Sequence, residues 1–111
     1  MRQGEVRVNG IPAGLLEETA TGFQFHYYRD YAQQNDLPAI SLTLPKRVDK
    51  IVESPILFPF FAGLLTEGAA MHLQCRILKL DENDLFGRLL KTASDDVIGN
   101  VTVHEITESA Q

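Results

Sequence analysis

The sequence predicts an α+β domain: an antiparallel β-sheet with an N-terminal hairpin, covered by about three helices and closed by a C-terminal strand. Apolar residues alternate with polar ones in the first half, recur at helical spacing in the second half, and alternate again near the end. The 111 residues, of which 44% are hydrophobic, suffice for one stable core. We therefore expect a single domain over residues 1–106 and a frayed tail over 107–111.

The first two strands form the predicted hairpin. Polar and apolar residues alternate over 5–8, and a second extended segment runs over 11–17. Asn9 and Gly10 lie between them, and these residue types tolerate the positive φ angles of a type I′ turn. Pro12 has no backbone N–H to donate to a neighbouring strand. The second strand is therefore expected either to lie at a sheet edge or to begin with its unpaired side facing outward.

Two further strands are predicted before the middle of the chain. Aromatic and polar residues alternate over 23–28, which should bury the aromatic face. Alternation returns over 40–44, where Ile40, Leu42 and Leu44 are predicted to share the buried face of a fourth strand.

The predicted helical half begins with an apolar run, I-L-F-P-F-F-A-G-L-L, at residues 56–65. Ser54 and Pro55 predict an N-cap followed by proline at the first helical position, and Gly68 is expected to end this first helix. Ten residues cannot cross a bilayer, which needs about 20. The run is therefore expected to be buried in the domain or presented to a partner.

The second helix is predicted over 69–80. Leu73, Ile77 and Leu80 are spaced to share one face, and the helices of this half are expected to cover the apolar face of the sheet.

A third helix over 82–93, capped by Asp81, and a last strand over 97–106 complete the prediction. The inward stripe of the third helix is expected to be Leu85, Phe86, Leu89 and Leu90.

Composition indicates a cytoplasmic protein that contacts neither a membrane nor, directly, a nucleic acid. The formal net charge is −5, whereas phosphate binding depends on Lys and Arg. Cys75 is the only cysteine, so no intramolecular disulfide can form, and no signal-peptide pattern follows Met1.

Few residues suggest catalysis, a metal or a cofactor. His26, His72 and His104 lie far apart and lack metal-ligand spacing, and Cys75 is expected to be a small buried hydrophobe. Three groups of acidic residues lie next to turns or helix starts, where carboxylates serve as caps. They are Glu17, Glu18, Asp81, Glu82, Asp84, Asp95 and Asp96. Without a glycine-rich phosphate loop or a nucleophile elbow, the chain is predicted not to be an enzyme.

Five segments, in order, resemble the N-terminal subdomain of HipA-type serine/threonine kinases. They are the opening V-x-V-N-G hairpin, I-S-L-T-L-P at 40–45, L-F-P-F-F-A-G-L-L-T-E-G at 57–68, D-L-F at 84–86 and D-D-V-I-G-N-V at 95–101. The family pattern runs as an SLSLP strand, an FFxxLLPEG helix, a D-x-F-x-L-L helix and a D-x-x-G-A-V strand. The resemblance covers almost the whole chain.

A free-standing subdomain of this kind is similar to the HipS-type antitoxins of three-component HipBST toxin–antitoxin modules. The resemblance implies that the chain binds and inhibits a HipT-like serine/threonine kinase toxin, with a HipB-like DNA-binding protein in the same complex. HipA kinases continue into a kinase core, whereas this sequence has no catalytic-loop or Mg²⁺-binding pattern.

The resemblance also gives the apolar run a role. A subdomain severed from its kinase exposes a former packing surface as an interface. We expect the segment 64–70 to reach the active-site side of the kinase and block nucleotide or substrate entry. The predicted partner-binding residues are Phe58, Phe61, Leu65, Thr66, Glu67, Gly68, Ala69 and Ala70.

Three of these residues depart from the family pattern. Thr66 replaces the usual proline, and Ala69 and Ala70 follow where many relatives have a bulky, often aromatic side chain. Interface energy concentrates in large side chains, so inhibition either uses a broader surface or an altered contact residue. At least half of the large apolar residues of the run should be core. Glu67 and Gly68 fit a plain helix C-terminus equally well.

Two other functions fit the sequence. One is a non-inhibitory structural subunit that completes the kinase fold and scaffolds assembly with the HipB-like protein. The other is an unrelated small ligand-binding domain, which predicts a stable monomer.

Overall fold

Five strands and four helices make up the computed structural model, which describes residues 1–94 and 100–107. The strands form one antiparallel sheet in the order β4-β3-β2-β1-β5, so the predicted α+β fold is confirmed. The elements are β1 (Gln3–Val8), β2 (Ile11–Thr19), β3 (Gly22–Tyr27), α1 (Arg29–Ala32), β4 (Val52–Ser54), α2 (Pro59–Ala62), α3 (Gly68–Leu78), α4 (Leu85–Thr92) and β5 (Val101–Ile106).

The predicted hairpin is confirmed. Asn9 and Gly10 join β1 to β2 with φ angles of 51° and 81°, as a type I′ turn requires. β2 lies between β1 and β3, so the alternative that placed it at a sheet edge is wrong. The pairing of β2 with β3 begins only at Gly14, after Pro12. The missing N–H of Pro12 therefore removes no hydrogen bond between β2 and β3.

The predicted fourth strand over 40–44 is wrong. Ser41 and Leu44 close a tight turn, in which the Leu44 N–H donates to the Ser41 carbonyl oxygen at 3.1 Å. Ile40 and Leu44 are buried on either side of this turn, while Leu42 is fully exposed at its tip. The fourth strand is β4, which pairs with the Phe23–Phe25 part of β3. The Ser41 hydroxyl favours the turn because it accepts the N–H of Thr43 at 3.2 Å.

The first predicted helix, over 56–65, is much shorter in the structure. α2 begins at Pro59 because the residue before a proline is held extended, and Phe58 has φ −53° and ψ 134°. Ser54, the predicted N-cap, is instead the last residue of β4. Gly68 begins α3 rather than ending the first helix.

The second predicted helix is confirmed as α3, but its orientation differs from the prediction. Leu73 and Ile77 do share a face, yet their side chains are 55% and 67% exposed. Cys75, buried as expected, is the single buried residue of α3, all of which is described. The apolar stripe of α3 therefore points to solvent.

The third predicted helix is confirmed as α4, with a later start. Asp84, not Asp81, is the N-cap, and its carboxylate accepts the N–H of Gly87 at 3.1 Å. Leu85 is 39% exposed, which corrects its predicted place in the inward stripe. The other three stripe residues, Phe86, Leu89 and Leu90, are buried.

The closing strand is confirmed as β5, which pairs with β1 from Val101 to Ile106. The predicted start of this strand at 97–99 and the tail residues 108–111 lie outside the described residues. One face of the sheet carries the core, in which strand residues meet α2 and α4. Its most deeply buried large side chains are Tyr31, Phe25, Phe61, Phe86, Leu16, Leu89, Val6 and Val103.

Candidate partner-binding surface

The three large apolar residues of the predicted partner-binding set lie in the core. Phe58, Phe61 and Leu65 are 7%, 0% and 8% exposed. The Phe61 ring lies 5.9 Å from that of Phe25 and 6.2 Å from that of Phe58, centroid to centroid. Most of their surface is already used inside the domain, so these three side chains expose little area to a partner, and their predicted contact stays a prediction.

The other five predicted residues run from the end of the connection after α2, at Thr66 and Glu67, into the first turn of α3, at Gly68, Ala69 and Ala70. Thr66 is half-buried, while Glu67, Gly68, Ala69 and Ala70 are exposed. Gly68 has a φ of 69°, and no heavy atom lies within 4 Å of the position that a Cβ would take. The segment therefore stands away from the domain at this point and is free to meet another surface.

Arg88 of α4 binds the start of this segment through a hydrogen bond to its backbone. Its side chain is buried, and its Nη2 donates to the carbonyl oxygen of Thr66 at 2.7 Å. Nη1 donates to the carbonyl oxygen of Glu82 at 3.3 Å, and Nε has no partner among the described residues. A buried guanidinium requires such acceptors, so its bond to Thr66 fixes where the segment leaves α2.

Arg88 was missed by the sequence analysis. The signal for it was a cation inside the inward stripe of α4, next to Leu89, where a solvated arginine is out of place.

A shallow depression of about 240 Å³ adjoins the connecting segment. It lies between α3 and α4 and is lined by Leu64, Thr66, Gln74, Leu78 and Lys91, among others. Thr66, whose carbonyl oxygen is bound by Arg88, therefore borders a concave surface.

An ion cluster fixes the start of α4, the helix that carries Arg88. Arg2 donates to Asp84 at 2.7 and 3.1 Å, and to Glu18 at 3.0 and 2.8 Å. These hydrogen bonds hold the pKa of both carboxyl groups below their ordinary values and raise the pKa of Arg2. Asp84 thus acts as the cap expected of it, whereas Glu18 serves an ion pair within the cluster.

Nothing in the described parts of the chain, residues 1–94 and 100–107, forms a cluster of His, Cys, Asp or Glu side chains that could hold a metal ion. His72 pairs with Glu82 at 2.8 Å, and His104 contacts the Thr102 hydroxyl at 2.9 Å. Within the same residues, none of the helices has the length and apolar character needed to cross a membrane.

Comparisons with known proteins agree with this fold. The chain matches the family described as the HipA N-terminal domain over residues 4–104. It is similar to an uncharacterized protein of Haemophilus influenzae strain Rd, with 36% identity over 109 residues that cover 95% of this chain and 93% of that protein. It is also similar to a solved structure, the N-terminal domain of HipA toxin, with 29% identity and a TM-score of 0.71, covering 98% of this chain and 96% of that chain. The family match spans nearly the whole sequence and the fold agrees with it, so the chain belongs to the HipA N-terminal domain family.

Proposed function

We propose that this chain is a HipS-like antitoxin that binds and inhibits a HipA- or HipT-like serine/threonine kinase toxin. Membership of the family suggests a HipA-related toxin–antitoxin context. The observation that carries the proposal is the exposed segment from Thr66 to Ala70, which is held in place by the buried Arg88. The proposed setting is a three-component complex in the cytoplasm, with a HipB-like DNA-binding protein reached through the kinase.

The proposed mode of action is binding rather than chemistry. The HipA N-terminal domain is a non-catalytic subdomain. Arg88 binds the Thr66 carbonyl before any partner is present, so less conformational entropy is lost when the segment docks. In the proposal, this segment enters the active-site side of the kinase and excludes nucleotide or substrate. Phe58, Phe61 and Leu65 support it from within the core.

A second candidate function is a non-inhibitory subunit that completes the kinase fold and scaffolds its assembly with the HipB-like protein. The observation that favours it is the small size of Ala69 and Ala70, which leaves the exposed segment without a bulky side chain to fill a cleft.

A labelling assay separates the two candidates. A purified HipA-like kinase is incubated with labelled ATP and its protein substrate while the chain is added in increasing amounts. Dose-dependent loss of labelling supports the inhibitor. Unchanged labelling despite a stable complex supports the scaffold, and failure to form a complex excludes both.

Two variants locate the contact. Glu67→Lys changes an exposed residue of the proposed contact segment and should raise the concentration needed for half-inhibition. Leu42→Asp is the matched control, because Leu42 is fully exposed on a different turn and should leave inhibition unchanged. Equal inhibition by the two variants would remove the segment from the proposal.

A further inference from the structure

The outer face of α3 is an apolar surface that the domain itself leaves uncovered. Leu73 and Ile77 stand two residues before and after Cys75, so each lies about 160° around the helix from the buried cysteine. With Leu78, which is 46% exposed, they form the largest side chains of this face. An amphipathic helix with its apolar stripe in water is typical of a surface that a partner covers.

This face is continuous with the proposed contact segment. A depression of about 360 Å³ on α3 is lined by Ala70, Leu73, Gln74, Ile77 and Leu78. Gln74 and Leu78 also line the depression that reaches Thr66. One unbroken surface therefore runs from Thr66, along the side of α3, to Ile77.

Positive charge borders this surface, although the whole chain carries a formal charge of −5. Arg76 is exposed on α3 and Lys79 is exposed directly after its end, and neither has an ion-pair partner among the described residues. A partner that covers the apolar stripe would complement these cations with acidic side chains at its own rim.

On the basis of the antitoxin function proposed above, we propose that the outer face of α3 is the principal docking surface for the kinase. The kinase surface that it fits is apolar at its centre and acidic at its rim. Leu73 and Ile77 supply the large apolar contacts that Ala69 and Ala70 cannot, so binding energy comes from the helix while the preceding segment reaches the active-site side.

A second copy of the chain fits this surface less well. A symmetric dimer through α3 would bring the same patch of both copies together. Such an interface would gather Arg76 and Lys79 of both copies at its rim, and like charges at an interface oppose association.

The test is a matched pair of substitutions, Ile77→Asp and Ile56→Asp. Ile77 is 67% exposed and Ile56 is 65% exposed, so neither change removes a core side chain. Affinity for the kinase is measured by titration calorimetry, and folding of each variant by its thermal unfolding midpoint. We expect Ile77→Asp to weaken binding by about 30-fold or more, the loss typical of a central apolar contact, and Ile56→Asp to leave it within about twofold. Leu73→Asp, on the same face, should repeat the effect of Ile77→Asp.

The outcomes separate this inference from the proposed function. If the wild-type chain binds and inhibits the kinase and Ile77→Asp and Leu73→Asp do so equally well, the α3 surface is overturned while the antitoxin function stands. If the wild-type chain does not bind the kinase, the proposed function itself fails. If sedimentation shows a wild-type dimer that Ile77→Asp dissociates while kinase affinity is unchanged, the face is a contact between copies and the inference is again overturned.

Discussion

Arg2 and Asp84 lie 82 positions apart and are joined by hydrogen bonds of 2.7 and 3.1 Å, with Glu18 bound to the same guanidinium. We expect Arg2→Gln to lower the free energy of unfolding by about 1 kcal/mol, a value reduced for the partial exposure of these groups. Urea denaturation measures the change. Arg47→Gln is the control, because Arg47 is exposed and has no ion-pair partner in residues 1–94 and 100–107. Equal stability of the two variants would contradict the expectation.

The same cluster sets a pH dependence. The pKa of Glu18 and that of Asp84 are lowered in the folded chain, mainly by the hydrogen bonds from Arg2. Such carboxyls stabilise the fold above their unfolded pKa, and the stabilisation is lost as the pH falls through the folded pKa. The ordinary values are 4.5 and 3.8, so the thermal midpoint should fall below about pH 4.5. The thermal midpoint of the double variant Glu18→Gln/Asp84→Asn should fall less between pH 7 and pH 3 than that of the wild-type chain. Parallel plots of thermal midpoint against pH would show that the cluster is not the cause.

Tyr27 fixes the turn that replaced the predicted fourth strand. Its buried hydroxyl donates to the carbonyl oxygen of Leu44 and accepts the N–H of Ile40 at 3.0 Å. Tyr27→Phe leaves both backbone groups without a partner and should cost about 1–3 kcal/mol of unfolding free energy. The Ile40 amide should also exchange its hydrogen faster. Tyr28→Phe, which removes a half-buried hydrogen bond of 3.1 Å to Glu5, should cost less than about 1 kcal/mol.

Arg88 positions the segment that we propose to contact the kinase. Arg88→Met keeps an apolar chain in α4 but removes the donor to the Thr66 carbonyl. The Thr66 carbonyl oxygen loses its donor, so the free energy of unfolding should fall by about 1 kcal/mol, as measured by urea denaturation. Arg47→Met should leave the free energy of unfolding unchanged. Equal stability of the two variants would mean that other contacts hold the segment.

Two glycines near this segment should respond in opposite ways to alanine. Gly68 has a φ of 69° with no atom near its Cβ position, so Gly68→Ala meets backbone strain alone and should cost about 1 kcal/mol. Gly63 has a φ of −68°, which alanine adopts readily, and its added Cβ would lie 3.4 Å from the nearest atoms. Gly63→Ala should be neutral or stabilise the chain by up to about 1 kcal/mol. Urea denaturation of both variants checks the contrast.

Local patterns in the sequence predicted most of the sheet. The hairpin and β3 were predictable because the Asn9-Gly10 turn and the alternation over 23–28 are signals between close neighbours. The fourth strand was not, because Ile40 and Leu44 point into the core from a tight turn just as they would from a strand. Only the exposure of Leu42 separates the two cases, and it depends on tertiary packing.

The sequence indicated where along the chain the candidate site lies, but not which of its side chains are exposed. The family resemblance pointed to the segment 66–70, which is largely exposed and includes the first turn of α3, yet the large apolar residues beside it are core. Helical periodicity predicted an apolar face on α3 but not whether that face packs on the sheet or lies in solvent. An apolar stripe has the same spacing in both cases. Arg88 escaped notice because its acceptors are backbone carbonyls, which no sequence pattern identifies.

β1 and β5, the first and last strands of the sheet, are hydrogen-bonded neighbours over six residue pairs. Until β5 has been synthesised, β1 is an edge strand whose free N–H and C=O groups can pair with other chains. Once β5 has paired with β1, β5 becomes the edge of the sheet, so the strand open to such pairing changes as the fold is completed.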